Sequence, residues 1–224
     1  MKSLFAILAL AVAVSPASAI VFSTNWSPNV AVPDANPAGL ADARTISGLT
    51  GTISDVNVTL NLTGGFNGDL YAYLTHGSGF AILLNRVGRT TGNPFGYSDA
   101  GMNVTLDDAA GTDIHLYGTL AAPFVYQPDA RAVSPFTVLD TDARTAFLSS
   151  FNGMDPNGTW TLFIADLSAG GVTTLSDWGL ELTLVPIPEV ETYVAAALAG
   201  VFGAFWLNRA IWGRRRNSPP HAAS

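Results

Sequence analysis

The sequence predicts an all-β fold, an antiparallel β-sandwich of jelly-roll type, from three observations. Seven or eight short runs alternate apolar and polar residues with the period of two that a half-buried strand requires. Gly, Asn and Asp separate these runs at regular spacing. Between them lies no helical stretch long enough to serve as a βαβ crossover. With 224 residues, 48% of them hydrophobic and 12% charged, the chain can form one sizeable core with short appendages, which excludes a large multidomain enzyme and a disordered chain. The absence of cysteine excludes a disulfide framework, thiolate metal sites and cysteine catalysis.

Residues 1–19 read as a signal peptide. Lys2 supplies the positive start, residues 4–14 are uninterruptedly apolar, and Ala17-Ser18-Ala19 is the small-x-small pattern that a signal peptidase accepts. Those eleven residues reach only about 16 Å as a helix, half of the hydrocarbon core of a bilayer, so cleavage before Ile20 is favoured over anchoring. Residues 20–44 read as an extended lead-in, because Pro28, Pro33 and Pro37 bar a long helix or a central strand.

The sandwich is assigned to residues 45–185. In residues 53–62, Val56, Val58, Leu60 and Leu62 share one face and Asp55, Asn57, Thr59 and Asn61 the other. Gly64-Gly65 and Asn67-Gly68 turn this run into residues 70–75, where Leu70, Ala72 and Leu74 alternate with Tyr71, Tyr73 and Thr75, and the two runs read as a hairpin. Residues 80–84, 102–107 and 114–120 add short strands, residues 86–101 form a long loop, and residues 144–151 form one or two helical turns. Residues 159–166 and 172–185 close the domain around Gly170-Gly171. Trp160 and Trp178 share their strand faces with leucines and are expected in the core. Tyr71 and Tyr73, opposite Leu70 and Leu74, are candidates for an exposed binding stripe.

Beyond the body lies a Pro-Glu box at residues 186–191, containing Pro188 and Glu189. An apolar segment at residues 192–212 is expected to be a transmembrane helix, and residues 213–224 a basic cytoplasmic tail led by Arg214, Arg215 and Arg216. The basic cluster orients the body outward. Between Ile20 and Val185, five arginines face fourteen aspartates and one glutamate, so the body carries a formal charge of −10 and repels phosphate backbones; nucleic acid is not an expected partner.

Two resemblances follow from these strings. GGFNGDLYAYLTHGSGFAILLNR, residues 64–86, resembles the Gly-Asp-Leu strand, turn and apolar strand of the P domain of proprotein convertases, also called the P/Homo B domain. NGTWTLFIAD (157–166) and LSDWGLELTL (175–184) are similar to that family's closing hairpin, with its Asn-Gly-x-Trp-x-Leu and Leu-x-x-Trp-x-Leu signatures. The resemblance spans residues 45–184. It implies a jelly roll that accompanies a subtilisin-like catalytic domain without contributing a catalytic residue. The catalytic segments of such a domain have no counterpart in this sequence, so the expectation is a non-catalytic module, the alternative being an accessory P domain for a separately encoded subtilisin-like serine protease. The tail resembles the tripartite PEP-CTERM sorting signal, with Val190 where the usual Val-Pro-Glu-Pro box has its second proline. That resemblance implies an exosortase-type protease as partner and display on the cell surface or in an exopolysaccharide matrix.

Residue chemistry adds little to this. The body holds only His76 and His115 as nitrogen bases, no Gly-x-Ser-x-Gly elbow occurs, and Asp34, His76 and Ser78 have no triad pattern. His76-Gly77-Ser78-Gly79 reads as a hairpin turn. Asp69, Asp166 and Asp177 are the acids considered for paired-carboxylate chemistry. Calcium is the more physical use for loop carboxylates, and Asp99, Asp107, Asp108, Asp113, Asp129 and Asp155 are the candidate ligands, set against an ordinary role in solvated loops and Asx turns.

Overall fold

The computed structural model describes residues 18–121, 124–187, 197–198, 200–206 and 208–209. The chain divides into two units, Ser18–Pro186 and the remainder, Met1–Ala17 with Ile187–Ser224. In the second unit residues 197–198, 200–206 and 208–209 are helical, and among the described residues no helix is long and apolar enough to cross a membrane. Ala17, Pro188, Glu189, Arg214, Arg215 and Arg216, with most of the expected signal peptide and part of the expected transmembrane segment, lie outside the described residues.

The body is an all-β, two-sheet sandwich. In chain order its strands are β1 (Ile20–Trp26), β2 (Val30–Ala31), β3 (Leu40–Ile46), β4 (Thr52–Gly64), β5 (Leu70–His76), β6 (Gly79–Asn85), β7 (Met102–Leu106), β8 (Val125–Tyr126), β9 (Gly158–Asp166) and β10 (Thr173–Val185). One sheet runs β1-β10-β4-β7-β8 with β2 also on β10; the other runs β3-β9-β5-β6. All pairs are antiparallel except the short β7–β8 pair. Alternation explains the layers. Val56, Val58, Leu60 and Leu62 of β4 and Leu180, Leu182 and Leu184 of β10 face Leu70, Leu74, Leu162 and Ile164 of the other sheet, all fully or almost fully buried in one cluster. Trp160 and Trp178 are fully buried there, as the pattern predicts, and their indole N–H groups donate to Pro156 O and Asp42 Oδ2.

Three expectations need correction. Residues 20–44 are more than a lead-in: β1 pairs with β10 over its whole length and β3 with β9, so the sandwich starts at Ile20. The prolines fall between these strands, where their missing N–H does no harm. The runs read as a hairpin, β4 and β5, lie in different sheets, as do β9 and β10. Each carries one apolar face, and facing strands across the core buries both faces, whereas a hairpin would set them side by side. Residues 114–120 hold a 3-10 turn, Ile114–Leu116, with Asp113 accepting from His115 N, in place of a strand. The turn expected near residues 144–151 is the 3-10 segment Leu148–Phe151. β5 and β6 do form a hairpin, closed by Gly77-Ser78, with Gly77 at φ +56° as a primed turn requires at that position.

Candidate functional site

Catalysis needs a free base, and the histidines decide whether the body offers one. His76 closes β5 and is buried under the hairpin turn, stacked on Trp160 at 4.1 Å with the rings nearly parallel. Its Nε2 lies 2.7 Å from Asp155 O and its Nδ1 3.1 Å from Thr159 O, so both ring nitrogens face backbone carbonyls. His115, fully buried, is held the same way: Nδ1 donates to Asp129 Oδ2 at 2.6 Å and Nε2 to Arg89 O at 2.9 Å. Burial works against the charged ring, but the hydrogen bond and charge of Asp129, joined by the Arg89 carbonyl, outweigh it and raise the His115 pKa above its ordinary value. Asp34 adds its charge to that felt by Asp166, at the end of β9 away from the Trp160 on which His76 stacks, so Asp34, His76 and Ser78 are not brought together. Asp69 and Asp166 are neighbours at the β5–β9 junction, while Asp177 lies in the other sheet and accepts from Asn61 Nδ2 at 2.7 Å.

The six aspartates singled out for calcium are each engaged by groups of the protein. Asp129 and Asp113 belong to one buried network: Arg131 meets Asp129 Oδ1 at 3.3 Å and Asp113 Oδ2 at 2.9 Å, and Arg144 stands 3.6 Å from Asp113. Asp108 accepts from Leu148 N and Ser149 N, capping the 3-10 turn there. Asp99 accepts from the Tyr117 hydroxyl at 2.6 Å; burial first and that bond second push the phenol pKa upward. Asp107 and Asp155 close Asx turns onto Ala109 N and Asn157 N, and the Asn157 bonds hold the Asp155 pKa below its usual value. Among the described residues no group of three or more acids or histidines is arranged to hold a metal ion.

Two surface features remain. Tyr71 and Tyr73 do lie on the outward face of the β3-β9-β5-β6 sheet, beside Phe163 and Phe80. Tyr73 and Phe163 are stacked on one another at 4.7 Å with 15° between their planes, and Tyr71 meets both of them edge-on. A cavity of about 310 Å³ opens where the β4–β5, β6–β7 and β9–β10 connections meet, lined by Phe66, Asp69, Phe95, Tyr97, Ser98 and Ser168 among others. The sequence gives no sign of this cavity, because its walls come from three loops separated by up to a hundred residues. The Gly-Asp-Leu string, whose aspartate lines it, is the one local signal.

Comparison with known proteins adds two solved structures. The body is similar to the serine protease of Aeromonas sobria in complex with its chaperone, at 15% identity and a TM-score of 0.46, over 76% of this chain and 28% of that one. It is similar to the serine protease of Aeromonas sobria alone at 15% identity and a TM-score of 0.44, over 75% of this chain and 27% of that one. The chain thus spans little more than a quarter of the length of the proteins it matches, and the sandwich assignment rests on its own strand pairing. No protein-family model and no curated protein matches the chain.

Proposed function

We propose that the protein is an exported, non-catalytic module, a P-domain-like jelly roll displayed on the cell surface or in the exopolysaccharide matrix and sorted there by a PEP-CTERM-type tail. The observation that carries this reading is where the chain enters and leaves the body. Ile20, the first residue after the expected signal cleavage at Ala19, is paired with Leu184 on the neighbouring strand, and β10 ends one residue later at Val185, just before the Pro-Glu box. Leader and tail therefore depart from the same end of one sheet. Processing at either place removes nothing from the sandwich. The doubly hydrogen-bonded state of His76 and His115 agrees with a module that binds rather than catalyses.

Intact mass and fractionation of the native protein, in cells with and without an exosortase-type protease, test the sorting. A species running from Ile20 to near Glu189 at the surface or in the matrix, dependent on that protease, is expected. A species that keeps Arg214 to Arg216 and stays in the membrane fraction of both strains would overturn it. Pull-down from envelope extracts tests the role: retention of matrix glycan supports it, and stoichiometric recovery of a subtilisin-like protease would replace it with the accessory-domain reading.

A further inference from the structure

The cavity at the end of the body opposite Val185 is a built site, and we infer that it takes the side chain of a lysine or arginine from a partner protein. β4 and β10 run side by side from the Thr52–Val185 end to the Gly64–Thr173 end, about 40 Å away at strand rise. The cavity lies beyond the second end, between Phe66, the segment from Phe95 to Ser98, and Ser168. Its walls are fixed before any ligand arrives: Gly68 N donates to Tyr97 O at 2.8 Å, Tyr97 N to Val87 O at 3.0 Å, and Leu167 N to Asp69 O at 2.9 Å. A Cβ at Gly68 would come within 2.4 Å of Phe95 O, so only glycine lets the two loops close together.

The chemistry of the lining selects a cation on an apolar stem. Asp69 lines the cavity and is 7% exposed. One of its oxygens accepts from Arg86 Nη2 at 3.1 Å, and the other accepts no hydrogen bond from the described residues. Asp69 and Asp166 stand together around Arg86, and burial, followed by the charges of Asp69 and Asp34, raises the pKa of Asp166. The rings of Phe66, Tyr97 and Phe95 line the same cavity, and Phe95 is 76% exposed. An ammonium or guanidinium reaching Asp69 brings its methylenes along these rings and gains cation–π attraction, and the −10 body steers it in. A volume of about 310 Å³ is at the small end for ligand sites, enough for one long side chain. An amino sugar carries its nitrogen directly on the ring and would have to bring the ring to Asp69, which is why a side chain is favoured.

The full-length protein in detergent is titrated by NMR with the N-acetyl-N-methylamides of lysine, arginine and norleucine, and with glucosamine. Lysine and arginine compounds are expected to bind with millimolar Kd, norleucine at least tenfold more weakly, and salt should weaken the first two only. Asp69→Asn should abolish the preference for a cation. Because that change also leaves Arg86 unpaired, Phe95→Ala, at a residue the fold does not need, is the second variant and should weaken lysine binding severalfold. Ser168→Lys, which places an ammonium at the rim, should block it. Equal binding of norleucine and lysine, no binding of either cation, or tighter binding of glucosamine would each overturn the inference, whatever the fate of the tail.

Discussion

The space between the sheets and the flank beside β6, which residues 113–115 and 127–146 build around an ion network, lie in one domain and are held by opposite physics. Between the sheets, alternate residues of seven strands bury Val, Leu, Ile and two tryptophans, and the attraction is non-directional burial of apolar surface. The flank lies against β6: Asp129 N donates to Leu83 O, Ala130 N to Ile82 O, and Ile82 N to Ala146 O, which covers the sheet edge. Its interior is ionic, with His115, Asp129 and Arg131 all almost completely buried and Asn85 bonded to Arg131 O and Val133 O. The difference teaches that the apolar core depends on volume and tolerates volume-conserving change, while the flank depends on every member of a charged set being present and correctly protonated.

The largest expected effect breaks the apolar side. Trp160→Ala or Trp178→Ala should cost about 3–5 kcal/mol, since each removes a fully buried ring and leaves a cavity in a dense core. Hydrogen exchange should show it as a loss of protection shared by β4, β9 and β10. A loss confined to the residues around the ion network would mean that the tryptophans act through the network after all.

Next comes the ionic side. Asp129→Asn keeps the shape but removes the anion shared by His115 Nδ1 and Arg131, and should cost about 1.5–3 kcal/mol, the range for hydrogen bonds to charged groups. Hydrogen exchange should locate it: amides of Ala130, Thr145 and Ala146 should lose protection while those of β4 and β10 keep theirs. Uniform loss across both regions would erase the distinction between them.

The same contrast explains what the sequence made legible. β4, β5, β9 and β10 could be read because period-two alternation is a local consequence of a sheet with one face buried. Which strands pair was not legible: the β4–β5 and β9–β10 connections look like hairpin turns locally, and only the need to bury both apolar faces sends them across the core. β1 and β3 were obscured by prolines that belong to the connections between them. For the flank, Asp113, Asp129, Arg131 and Arg144 give no periodic signal, since ion pairs obey geometry in space and leave no spacing rule in the chain. The carboxylates were visible as a group of acids, and their partners were not.

A smaller, sharper effect separates the regions by pH. The folded pKa of His115 lies above the ordinary 6.5, so its contribution to stability is fully present below about pH 6.5 and is lost as pH rises through the folded value. The groups facing it are the Asp129 carboxylate, the Arg131 guanidinium behind it and the Arg89 carbonyl. Stability should therefore decline from near-neutral pH upward, and His115→Gln should flatten that decline even if it lowers stability overall. Persistence of the slope in the variant would move its origin elsewhere.

The smallest effect expected is that of calcium, and it bears on the same comparison because it asks whether the loop acids have capacity left. A calcium ion takes six to eight oxygens, several from carboxylates that must turn toward one point. Asp108 has both oxygens on the backbone N–H groups of Leu148 and Ser149, Asp113 and Asp129 face arginines and His115, and Asp99 holds Tyr117. To bind, these groups would first have to release partners that stabilise the flank. A site with a dissociation constant one-hundredth of the calcium added would raise stability by about 2.7 kcal/mol, an unmistakable shift in Tm. The expected outcome is instead a shift within error at millimolar calcium and no difference from magnesium. A calcium-selective rise that Asp155→Asn or Asp107→Asn removes would return the acids to a metal site, and the flank would then be held by an ion as well as by its arginines.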